Sequence, residues 1–128
     1  MNKIIFGLIL ASILTSCEKQ EGRGGNSAIY GQVYQNVYDN SGSFVVKEEA
    51  REVNVYLIYG ETGVYDDNMD THYDGSYEFK YLHPGKYKVF AYSDCDSCPS
   101  NTVAVEVSVE ITGKNETVVS PDIIVDNR

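Results

Sequence analysis

The chain of 128 residues has no tryptophan, two histidines, three cysteines and three prolines. So few histidines and cysteines leave little material for a metal centre or a relay of nucleophile and base, each of which needs several converging side chains. Cations are scarce as well: ten Lys and Arg stand against nineteen Asp and Glu, for a formal net charge of −9. An acidic surface is repelled by phosphate backbones and anionic headgroups, which argues against nucleic acid as a partner and against electrostatic docking on a membrane. A sustained 3.6-residue apolar period is missing from Ala28 onward, so a helical domain is excluded. After residue 16 no apolar run is long enough to cross a bilayer, and no internal repeat is evident.

What is present begins with MNKIIFGLILASILTSC, where Lys3 precedes an apolar run from Ile4 to Leu14 and Leu14-Thr15-Ser16-Cys17 closes it. The run falls short of the roughly 20 residues a spanning helix needs and reads as a signal peptide. Its last four residues resemble a bacterial lipobox, in which the cysteine is lipidated and becomes the mature N-terminus. Three parts are expected: a lipoprotein signal peptide at 1–16, a lipidated flexible tether at 17–27, and one domain at 28–128. The tether reading rests on the polar, glycine-rich EKQEGRGGNS, which lacks apolar periodicity. Loss of residues 1–16 removes Lys3, leaving 112 residues and a formal charge of −10. That length suffices for one core and not for two. Since charge cannot hold such a chain on a membrane, attachment falls to the acyl chains on Cys17. The expected location is the outer membrane, on its periplasmic or cell-surface face.

From Ala28 the dominant pattern is alternation at period two, bounded by Gly, Asn, Asp and Pro. AIYGQVY sets Ile29, Gly31 and Val33 on one face and Tyr30, Gln32 and Tyr34 on the other. REVNVYLIYG, SYEFKYL, KYKVFAY and TVAVEVSVEI alternate likewise, and ETVV and DIIV follow. About seven short strands of this kind predict an all-β, antiparallel Greek-key sandwich with one buried face per sheet.

Asp74-Gly75-x-Tyr77-x-Phe79, followed by Leu82-x-Pro84-Gly85-x-Tyr87-x-Val89, resembles the signature of carboxypeptidase regulatory-like domains, which are seven-stranded transthyretin-like (prealbumin-like) sandwiches. Ile29-x-Gly31-x-Val33 and DIIV fit that family's first and last strands, so the resemblance spans about residues 28–125. It implies a fold and is nearly silent on function. Such domains accompany peptidases and TonB-dependent transporters as accessory pieces, which implies a non-catalytic binding or assembly module. Intradiol dioxygenases share a similar Gly-x-Tyr-x-Phe and Pro-Gly-x-Tyr but need a later His-x-His, and this chain has no histidine beyond His83. Transthyretin-like hydrolases end in Tyr-Arg-Gly-Ser, whereas this chain ends IIVDNR. Collagen-binding B-type domains carry an isopeptide Lys where Gln32 or Tyr34 stands here.

The candidate sites are few. With Cys17 lipidated, Cys95 and Cys98 remain as an even pair in an exported chain, and a local disulfide is expected. A redox pair would want neighbouring cations, but Asp94 and Asp96 flank it. Zinc would need His72 and His83 to join, and two free thiols are the remaining alternative. Asp66, Asn68 and Asp70 match the first three ligands of an EF-hand, yet Thr71 and Tyr77 occupy the diagnostic Gly and Glu positions. A solvated hairpin is expected there, with a calcium site of another kind as the alternative. His72 and His83 are the only candidates for an alternative reading as a small envelope hydrolase. No metal or other cofactor is expected.

Tyrosine is the strongest remaining signal, with eleven in the chain. The alternation turns Tyr30, Tyr34, Tyr56, Phe90 and Tyr92 away from the core. Exposed rings on a rigid sheet can stack on sugars or form a protein contact patch. A glycan or an envelope protein is the candidate partner; the alternative is that the rings pack under loops or the tether, or serve simply as strand-forming surface residues.

Overall fold

The computed structural model describes residues 20–128; the expected signal peptide and Cys17 lie outside the described residues. Nine strands follow one another: β1 Arg23–Tyr38, β2 Phe44–Glu49, β3 Asn54–Tyr59, β4 Asp67–Asp70, β5 Ser76–Leu82, β6 Gly85–Asp94, β7 Thr102–Ile111, β8 Thr117–Val119 and β9 Ile123–Asn127. They form two sheets, one built around β1 and the other ordered β4-β3-β6-β7. The expected all-β two-sheet architecture is what the described residues adopt, with nine strands among them rather than seven. The helical content among the described residues is one 3-10 turn at Pro99–Asn101, and none of their helices is long and apolar enough to cross a membrane.

β1 is the spine of the first sheet. Its N-terminal half pairs with β5 and its C-terminal half with β2, both antiparallel. Val33 marks the changeover, donating to the Gly75 carbonyl and accepting from the Ala50 amide. The opposite edge of β1 takes β8 beside Ala28–Tyr30 and β9 beside Val33–Val37, both parallel. These two parallel pairings depart from the expected all-antiparallel arrangement. The other sheet is antiparallel throughout.

The alternating residues meet between the sheets. Ile29, Val33, Tyr77, Phe79 and Ile123 come from the first sheet, and Val55, Leu57, Tyr87, Val89 and Ile111 from the second. Burial of these apolar side chains is the main driving term for the fold. Asp74-Gly75 is a tight turn, with the Gly75 amide on the His72 carbonyl and Gly75 at φ +77°. It does not join paired neighbours, because β4 and β5 belong to different sheets. His83-Pro84 makes the return crossing, from β5 to β6.

The expected tether needs correction. From Arg23 on, residues 23–27 are strand, with Arg23 and Ser27 opposite Leu82. Just before them, the Gly22 amide donates to the Tyr87 hydroxyl (2.9 Å) and the His83 amide to the Gly22 carbonyl (2.8 Å). Backbone pairing needs no apolar side chains, so a polar glycine-rich segment can supply it. Gly25 suits this position because a β-carbon there would strike the Leu82 carbonyl.

Candidate functional site

β3 and β6 pair with Tyr56 opposite Phe90, and β6 and β7 with Phe90 opposite Glu106 and Tyr92 opposite Ala104. Cross-strand partners share a face, so Tyr56, Phe90 and Tyr92 stand together on the outside of the second sheet. Their rings are in contact. Tyr56 and Phe90 stack with centroids 4.8 Å apart and planes 11° from parallel, and Tyr92 meets both edge-on at 5.6 Å.

Tyr65, from the β3–β4 loop, adds a fourth ring 4.8 Å from Tyr56. Mutual packing leaves Phe90 only 8% exposed, while Tyr65 and Tyr92 are each 52% exposed. The outward-facing expectation is therefore met in direction by Phe90 but not in accessibility, since its faces are taken by its neighbours. Offset and edge-to-face contacts of this kind add to simple burial and hold the rings in fixed orientations. Polar groups border the cluster. Asn68 lies opposite Tyr56 on β4 and donates to the Asn54 side chain (3.1 Å), and Glu106 pairs with Lys88 at 3.5 Å.

Tyr30 and Tyr34 are elsewhere. Both face outward from β1, on the first sheet, so the five aromatic residues singled out from the alternation divide between two faces. Tyr30 lies between Glu78 and Val119. The Lys47 ammonium sits 5.1 Å from the centre of the Tyr34 ring. Tyr65 escaped the sequence reading because it lies in a loop, where no alternation marks a face.

The remaining candidates are also placed. Cys95 and Cys98 form a disulfide with Cα atoms 5.4 Å apart, in the β6–β7 connection. His72 and His83 flank β5 at opposite ends, His72 exposed on the Asp74-Gly75 turn and His83 half-buried at the crossing to β6. They share no site. Asp66 accepts from the Tyr59 amide at 2.8 Å, Asn68 bonds Asn54, and the neighbouring Asp67 pairs with Arg23 at 3.2 Å. Among the described residues no group of three His, Cys, Asp or Glu side chains is placed to hold a metal ion. A groove of about 730 Å³ lies away from the rings and is bordered by Glu21, Gly24, His83, Gly85, Glu110 and Lys114.

No protein-family model matches the chain, and no curated protein matches it. A solved structure from Pseudomonas aeruginosa, of a protein provisionally described as carbohydrate binding, is similar with a TM-score of 0.49 and 14% identity, over 83% of this chain and 91% of that one.

Proposed function

We propose that the chain is an envelope lipoprotein, anchored by lipid on Cys17 in the outer membrane, and that its carboxypeptidase regulatory-like domain is a non-catalytic module that binds glycan on the outside of the second sheet. One observation carries the binding site: four mutually packed rings, from two paired strands and one loop, present two half-exposed tyrosines on a rigid support. Sugar rings have apolar C–H faces and polar rims, so a ligand of this class suits aromatic groups bordered by amides and a carboxylate. Asn54, Asn68 and Glu106 supply that border. The net acidity disfavours sulfated or uronate-rich chains and favours neutral ones.

The test is a glycan array probed with the folded domain and with its Tyr65→Ala and Tyr92→Ala variants. Binding to neutral glycans that is lost in both variants, at unchanged melting temperature, is the expected result. Binding that survives both changes, or no binding to any glycan, would sink the glycan reading.

A further inference from the structure

We infer that the lipidated protein stands upright on its membrane, with the β5–β6 corner and the β7–β8 loop held at the headgroups and the disulfide-bearing end outermost. The inference rests on the lipid-anchor reading of Cys17 and adds what the anchor does to the domain. Four residue steps separate Cys17 from Glu21, a reach of at most about 14 Å even when fully extended. Glu21 is already on the domain: its carboxylate accepts from the Lys86 amide at 3.3 Å, at the start of β6. Gly22 is fastened on both sides, to Tyr87 and to His83. The acyl chains therefore attach to the domain through a leash shorter than the domain itself.

The register fixes which end that leash holds. Gly85 opposes Ile111, so the start of β6 and the end of β7, with Lys114 just beyond, share the end where Glu21 docks. The Gly60 amide, bonded to the Lys86 carbonyl at 2.8 Å, belongs to the same end. β6 then runs ten residues to Asp94, about 30 Å away at ordinary strand rise.

At that far end the disulfide, Arg128 and the β1–β2 hairpin come together. The Arg128 guanidinium lies 3.3 Å from Asp96 and 4.4 Å from the centre of the Tyr38 ring. Phe90 and Tyr92 fall in the outer half of β6, so the ring cluster is lifted clear of the lipid and open to a long chain passing alongside. An unstructured tether would leave all orientations equal, whereas this leash selects one.

The test uses the full-length protein, lipidated in a bacterial host and reconstituted in liposomes carrying a headgroup-nitroxide lipid. Two exposed positions receive a fluorophore in separate variants, Lys114→Cys at the inner end and Asn40→Cys on the β1–β2 hairpin, each checked for an unchanged melting temperature. The expected result is loss of fluorescence at 114 and none at 40. Equal quenching at both, or stronger quenching at 40, in protein that floats with the liposomes overturns the orientation while leaving the anchor intact. Failure to float, or flotation unchanged by Cys17→Ser, overturns the anchor reading and the orientation with it. Inserting 20 Gly and Ser residues after Lys19 should abolish the contrast without affecting flotation; a contrast that persists would overturn the leash as its cause.

Discussion

Gly31 and Tyr77 are opposite one another on β1 and β5, and the Tyr77 ring fills the space in which a Gly31 side chain would stand. The glycine has an ordinary backbone conformation, so its role is spatial. Gly31→Ala should force the ring out of its place in the core and lower stability by about 1–3 kcal/mol, as overpacking does. Denaturant unfolding measures this, and an unchanged midpoint would contradict the packing.

Tyr77 is wholly buried, yet its hydroxyl has no hydrogen-bond partner among the described residues. The nearby Ser120 hydroxyl is directed to the Pro121 carbonyl at 3.2 Å. An unpaired buried hydroxyl costs free energy, so Tyr77→Phe should be neutral or stabilising by up to about 1 kcal/mol. A clear loss of stability would show that the hydroxyl is engaged, by the neighbouring Ser120 or by water.

Phe90 and Tyr92 should separate structure from binding. Phe90 is the buried member of the outer cluster, and Phe90→Ala should cost on the order of 3 kcal/mol in thermal or denaturant unfolding. Tyr92→Ala removes a half-exposed ring and should leave the melting temperature nearly unchanged. If both variants melted alike, the division of labour within the cluster would be wrong.

The disulfide closes a very short loop, so its removal should have a local effect. Chain-entropy arguments give about 2 kcal/mol or less for so small a ring. The Cys95 amide remains bonded to the Asn101 carbonyl at 2.9 Å and the Arg128 amide to Asp94 at 2.8 Å, both without help from sulfur. The Cys95→Ser/Cys98→Ser double variant should therefore fold, with a modestly lower melting temperature and unchanged circular dichroism.

Stability should fall at both ends of the pH scale. The Ser41 hydroxyl and the Ser43 amide hold the Asp39 carboxyl below its usual range, the Ser76 hydroxyl and amide do so for Asp74, and the Gly113 and Thr112 amides for Glu116. Folded values below the unfolded ones mean stability that is complete above about pH 4 and is lost as pH falls through the lowered values. Burial raises the Tyr77 and Tyr87 phenols, so their share is complete below about pH 10 and lost as pH rises through the raised values. A rise in melting temperature on acidification below about pH 4 would contradict the turn geometry.

Strands whose side chains alternate between core and solvent were legible from sequence, because burial on one face writes itself into every second residue. Ile29 and Val33, Val55 and Leu57, and Tyr87 and Val89 all lie in the core. Strands without that imprint were not legible. β2 is exposed along its whole length, β4 is four largely polar residues, and residues 23–27 enter β1 without a single apolar side chain. The ring cluster was half legible: parity turns Tyr56, Phe90 and Tyr92 outward, but Tyr30 and Tyr34 share that parity on a different sheet. Which strands become neighbours depends on pairing across long stretches of chain, and side-chain period carries no record of it.

The paired edges of β1 have a consequence for the order of assembly. Val33–Val37 lie against Ile123–Asn127, ninety positions later in the chain, so the spine of the first sheet stays open on one side until nearly the whole polypeptide is present. Contacts of such separation form slowly, because closing a long loop costs entropy before any bond compensates. β2 and β5 can cover one edge of that spine early, but the other edge must wait for the last strand to be made, so the final residues seal the sheet.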